Sequence, residues 1–203
     1  MGRWEPDARG RLLQAALDLF EDQGYDATTA AQIAARAGLT KTTLFRLFAD
    51  KREILFQGQP AMVSLAAAGV RSAADDASPV EMLRAGLRPL SDEHVPAQQE
   101  IGRRINAIVA SSPELQERAA FKRSTIAAAL QTALAARLDE QRPAAVLADL
   151  GVRAYYDGFA AWIDLRREDQ LPEVVLDELA ALQTALLGLR GPSEASARRP
   201  GAR

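Results

Sequence analysis

The stretch that most limits what this chain can fold into runs from Thr28 to Lys51, TTAAQIAARAGLTKTTLFRLFADK in one-letter code. It reads as two short helices around a tight turn. Thr29 is a good N-cap, because its hydroxyl can accept a bond from a free first-turn amide, and Gln32 three residues on completes a capping box. Ile33, Ala34 and Ala37 then fall on one helical face. Gly38 ends the helix where a left-handed backbone is needed. Leu39 fills the turn, Thr40 caps a second helix, and Leu44, Leu47 and Phe48 give that helix its apolar face.

This spacing predicts a helix-turn-helix. Ala34 sits where the helices cross and only a small side chain fits, and Ile33 and Leu44 share a core. With that face buried, Thr40, Lys41, Thr42, Thr43 and Arg46 point outward, as hydroxyls and cations able to donate to phosphates and base edges. In such motifs the second helix enters the major groove. The chain has only three lysines, and Lys41 and Lys51 flank this helix. Five of its eight threonines lie between Thr28 and Thr43. From Arg36 to Arg52, five cations face Asp50 alone, in a chain of net charge −2. A basic patch on an acidic protein is a localised electrostatic footprint.

Residues 9 to 56 resemble the N-terminal DNA-binding domain of the TetR family of transcriptional regulators. The runs that carry the resemblance are LLQAALDLFEDQGYDATT and IAARAGLTKTTLFRLFADKREIL. The resemblance implies an all-helical dimer that binds a palindromic operator and usually represses. It also implies a C-terminal domain that binds a small molecule and releases DNA. Thr29, Thr42, Thr43 and Lys51 are the phosphate contacts it implies. The chain departs from the family pattern at two positions. Phe45 stands where a tyrosine usually bonds a phosphate, and Leu47 where histidine is frequent. Phe45 can pack on a sugar or a thymine methyl but cannot donate a hydrogen bond.

The remaining sequence is compatible with that reading. Hydrophobic residues make up 48% of the chain and aromatic ones 5%. A core of Ala, Leu, Ile and Val with long gaps between breakers favours helix over sheet. There is no cysteine, hence no disulfide and no thiolate site. No apolar run of membrane-spanning length and no apolar signal core occurs, so a soluble cytoplasmic protein without membrane contact is expected. Its expected partners are double-stranded operator DNA, a second copy of the chain and an unidentified small-molecule effector.

The expected fold is all-α: an N-terminal three-helix helix-turn-helix domain plus a C-terminal helical bundle that forms a dimer. Residues 1–8 are expected to be a flexible arm, in which Arg3, with Arg9 just beyond, could reach DNA. Residues 9–56 form the DNA-binding domain, 57–190 the ligand-binding and dimerisation domain, and 191–203 a disordered tail. The first helix runs to Gln23 with Leu12, Leu13, Ala16, Leu17 and Phe20 inside, and Tyr25 packs. Asp50 caps a helix running through Ile54 and Phe56 towards Arg71, broken at Gly58 and Pro60. Further helices run from Ser78 to Pro89, Asp92 to Ala110, Ser112 to Gln141, Pro143 to Arg167 and Pro172 to Leu189, several with proline in the first turn.

The last two helices carry more apolar residues than one core stripe needs. These are Ala144, Leu147, Ala148, Leu150, Gly151 and Ala154, then Val175, Leu176, Leu179, Leu182, Leu186 and Leu187. Family precedent makes them a four-helix dimer interface. An effector pocket between the middle helices is expected to draw on Met62, Met82, Leu87, Ile101, Ile105, Phe121, Tyr155, Phe159 and Trp162. Arg103, Arg104 and Tyr156 are candidates to meet an acidic ligand. His94 is expected to face solvent, and one histidine without cysteine makes no zinc site.

No Ser-His-Asp set, phosphate-cradling glycine loop or metal-ligand cluster occurs, so neither an enzyme nor a cofactor is indicated. The alternative is an interaction or small-molecule-binding module that has lost DNA binding, as the missing Phe45 hydroxyl would allow. The expected mechanism is population shift, with ligand and operator weakening each other by the same factor.

Overall fold

The computed structural model describes residues 7–92, 94–164 and 170–189. Among them it contains nine α-helices and no strand. The helices are α1 Ala8–Gln23, α2 Ala30–Arg36, α3 Lys41–Leu47, α4 Gln59–Ser72, α5 Pro79–Asp92, α6 Gln99–Ser111, α7 Pro113–Leu138, α8 Gln141–Asp164 and α9 Leu171–Gly188, with 3₁₀ turns at Arg52–Ile54 and Pro96–Gln98. The expectations placed on residues 1–6 and 190–203 lie outside the described residues.

Two cores organise the chain. The first joins Leu12, Leu17 and Phe20 of α1 to Ile33, Leu44, Phe48, Ile54, Leu55 and Phe56. It also takes in Ile108 of α6 and Leu115 of α7, with Ile101 and Ile105 packed against it. The second fills the space between α4, α5, α7, α8 and α9, around Val70, Leu83, Leu87, Leu130, Tyr155, Trp162 and Leu179. The helix-turn-helix half therefore rests on α6 and the first turns of α7.

Several boundaries differ from the sequence reading. Asp50 does cap, accepting from the amides of Arg52 (2.9 Å) and Glu53 (3.1 Å). It caps a single 3₁₀ turn rather than a long helix, because Ile54, Leu55 and Phe56 turn into the first core. The chain breaks at Gly58 (φ 87°) before α4 starts. The helix α6 begins at Gln99 rather than Asp92. Pro96 holds Val95 in an extended conformation (φ −115°, ψ 152°), which a helix cannot contain.

The helix α5 passes through Pro89 to Asp92 instead of ending at the proline. Pro89 has no N–H for the Ala85 carbonyl, four residues earlier. The backbone of Gly69 on α4 packs against that same carbonyl, so closely that a Cβ at Gly69 would stand 2.1 Å from its oxygen. The two irregularities answer each other: the carbonyl released by proline meets the one α4 residue without a side chain. Gly69→Ala is expected to force α4 off α5 and cost about 2 kcal/mol, read as a Tm about 6 °C lower. An unchanged Tm would show that the helices part freely. Arg137 of α7 closes the C-terminal end of α4, donating to the carbonyls of Ala73 (3.1 Å) and Ala74 (2.7 Å).

Candidate nucleic-acid interface

The helix-turn-helix forms through the local signals in the sequence. Gln32 N–H donates to the Thr29 hydroxyl (3.2 Å), and Thr29 N–H donates to the Gln32 side-chain oxygen (2.8 Å), which completes the capping box. Gly38 takes φ 68°. The Leu39 amide reaches back to Ala34 O (2.8 Å) and the Gly38 amide to Ala35 O (3.0 Å), closing α2 with a Schellman turn. Thr43 N–H then donates to the Thr40 hydroxyl (3.1 Å) and opens α3. Ile33, Ala34 and Leu44 are buried where the helices cross.

With that face inside, Thr40, Lys41, Thr42, Phe45 and Arg46 are exposed and Thr43 is half-buried. The Phe45 ring is 46% exposed, which is large for a phenylalanine, and the Lys41 ammonium lies 5.7 Å from its centroid. The Thr29 hydroxyl accepts from Gln32 and also bonds its side-chain oxygen at 2.9 Å. The Thr40 hydroxyl is likewise held by Thr43. These two threonines are thus built into the caps, while Thr42, Lys41 and Arg46 are open at the surface. Arg9 stacks over the Phe48 ring at 4.8 Å and extends the cationic rim to α1.

Lys51 is not a free surface lysine. Its ammonium donates to Tyr25 O (2.7 Å) and Thr28 O (2.8 Å) and sits 4.0 Å over the Tyr25 ring. It pins the turn that leads into α2, and these carbonyls take two of its three N–H bonds. The Tyr25 hydroxyl in turn donates to Glu114 of α7 (3.0 Å). Burial and that carboxylate push the Tyr25 phenol well above its ordinary range.

Arg104 and Arg118 fasten this half to the rest. Arg104 of α6 donates to both Glu21 oxygens (2.7 Å each) and to Asp18 (2.8 Å) on α1. Arg103 donates to the Ile163 carbonyl and to Glu100 (2.7 Å). Neither Arg103 nor Arg104 is therefore placed to meet an effector. Arg118 of α7 grips Glu53 through two bonds (2.6 and 2.8 Å) and Gln59 through a third (2.5 Å). Sequence reasoning missed Glu53, Gln59, Arg118 and Lys122, since nothing local in the sequence pairs them.

The expected effector lining is only partly brought together. Met82, Leu87, Tyr155 and Trp162 are buried in the second core, and Met62 and Phe159 pack against it. Ile101 and Ile105 face the first core, because α6 leans on α1. Phe121 is 62% exposed. His94 does not face solvent: its ring meets Tyr155, Phe159 and Trp162 edge-on at 6.5, 5.5 and 6.1 Å.

Residues 12–57 match the sequence profile described as bacterial regulatory proteins, tetR family. The N-terminal domain, residues 12–57, is of the TetR family. That match covers under a quarter of the chain. The HTH-type transcriptional activator FasR of Mycolicibacterium smegmatis is 39% identical over 67 residues, which is 33% of this chain and 31% of that protein. The matched stretch thus spans less than a third of the curated relative's length. Whole-chain likeness shows in solved structures. A TetR-family regulator from Syntrophomonas wolfei has a TM-score of 0.59 at 16% identity, covering 91% of this chain and 97% of that one. A transcriptional regulator from Pseudomonas aeruginosa PAO1 has a TM-score of 0.57 at 17% identity, covering 92% and 94%. At such identities the likeness establishes the TetR fold alone.

Proposed function

We propose that this chain is a ligand-responsive, DNA-binding transcriptional regulator that grips a palindromic operator as a homodimer and is released by a small molecule. The observation that carries the reading is α3, whose exposed side carries Lys41, Thr42, Phe45 and Arg46. Thr43 and Lys51 complete the contact set, with Thr29 and Thr40 holding the two helix starts that face the duplex. Cytoplasmic action follows from that role.

A second copy is expected on α8 and α9. Ala144, Ala148, Gly151, Ala154, Val175 and Leu179 are buried in the chain's own core, and so leave the expected interface. Leu147, Leu150, Leu176 and Leu182 are half-buried, and Val146, Leu186 and Leu187 are 59%, 48% and 60% exposed. Apolar side chains left out at that end of the molecule suit a covered face. Repression is the sign we assign, through occupancy of the operator. The relative FasR bears the name of an activator, so a reporter assay of the downstream gene decides this point separately.

The direct test is binding to the DNA upstream of the protein's own gene across a salt series. Log affinity is expected to fall with log salt at a slope of about −4 or steeper, at roughly 0.9 per phosphate neutralised. A flat dependence would favour the alternative of a module that has lost DNA binding. Phe45→Tyr restores the phenol oxygen usual in the family. It is expected to tighten binding to all DNA by about fivefold, the worth of one added hydrogen bond. No change would mean that this ring meets no phosphate.

A further inference from the structure

The third of the chain's three lysines, Lys122, lies outside the DNA-binding motif. It stands on α7, one turn beyond Arg118 and one turn before the buried Ile126. Side chains four apart on a helix share a face, and like charges there repel. Burial and the neighbouring Arg118 hold the Lys122 ammonium down to about 8. The carboxylate whose charge acts on both cations is Glu53, which Arg118 already holds through two bonds. The other acids of the junction are engaged elsewhere: Asp50 bonds Arg52, and Glu114 takes Arg52 and the Tyr25 hydroxyl. Arg118 still has a buried Nη1 that makes no hydrogen bond.

Two half-buried cations thus share one carboxylate, and one buried donor of the pair makes no hydrogen bond. A buried donor without a partner is costly, and so is a cation without a counter-charge. The surroundings are apolar. The Phe56 ring lies 5.3 Å and the Phe121 ring 5.5 Å from the Arg118 guanidinium. Phe121 is 62% exposed, so a large apolar ring lies open at the rim of this cationic pair.

We propose that Arg118 and Lys122 together bind the carboxylate of an apolar monocarboxylic acid, whose hydrocarbon part lies against Phe121. The inference rests on the reading of the chain as a ligand-responsive regulator and names the chemical class of its effector. It also supplies a route to the DNA. A carboxylate drawn onto Arg118 competes with Glu53, which sits two residues from Lys51 in the turn that follows α3. Loosening that grip changes how the recognition helix is held.

The test compares decanoate with 1-decanol, which has the same tail and no charge, on the full chain by titration calorimetry. The wild type is expected to bind decanoate about tenfold or more tightly than decanol, the worth of a charge-assisted hydrogen bond. Lys122→Met is expected to abolish that preference, leave decanol affinity unchanged and keep the Tm at or above the wild-type value. Lys122→Arg should retain the preference. Equal binding of acid and alcohol by the wild type overturns the proposal. So does binding of neither, an equal loss of both in Lys122→Met, or a lowered Tm with the preference intact. A wild type that holds DNA but ignores decanoate sinks this inference alone. Failure to bind DNA at all sinks the regulator reading instead.

Discussion

Glu53→Ala is expected to lower stability by about 3 kcal/mol, seen as a Tm about 9 °C lower in thermal unfolding. The Glu53 and Arg118 side chains are 26% and 14% exposed, and the pair joins the 3₁₀ turn after α3 to α7. Removing the acid leaves a mostly buried guanidinium beside Lys122 with no carboxylate at hand. Removing the base is expected to cost less, about 1 kcal/mol, because Glu53 is the more exposed partner and turns to water. The double variant Glu53→Ala with Arg118→Met should therefore be more stable than Glu53→Ala alone. A Glu53→Ala chain within about 0.5 kcal/mol of wild type would remove this clamp from the account. The clamp also bears on function. If it holds the recognition helix in position, Glu53→Ala should lose operator affinity by a larger factor than its unfolded fraction explains.

How much of this was readable beforehand depends on the range of each signal. The Thr29–Gln32 box, the Gly38 turn and the Thr40 cap are local, and each lies within a few residues of its partner. They appear in the structure with the predicted partners. Periodicity shows that Ile101 and Ile105 face a core, but it does not say which one. Their core is set by Arg104, whose partners Glu21 and Asp18 lie more than 80 residues away. Pro89 is a valid stop signal for an isolated helix. It fails here because Gly69 of another helix meets the freed carbonyl. His94 looks polar in its connection, yet three aromatic rings from α8 surround it. For Lys122 the only advance sign is that lysine is rare in this chain. Its meaning comes from Arg118 and Glu53, which only the fold puts beside it.

Lys51→Ala is expected to weaken binding to operator and to random DNA alike, by on the order of tenfold, and to flatten the salt slope by about one. Lys41→Ala and Thr43→Ala are expected to cost about 1–3 kcal/mol on the operator and much less on random DNA, the pattern that base-edge contacts in the proposed docking would give. The structure adds a second effect for Lys51. Its ammonium holds the carbonyls of Tyr25 and Thr28 ahead of α2. Losing it removes two charge-assisted bonds and should lower stability by about 1–2 kcal/mol, whereas Lys41, exposed on α3, can be removed with little change in Tm. The two roles separate by temperature. Measured well below the melting transition, a phosphate contact still shows as a lost salt slope, whereas a purely structural tie shows as a lowered Tm with the slope intact. Equal losses on operator and random DNA for all three variants would mean that α3 does not read bases, and the interface would have to be sought on another face.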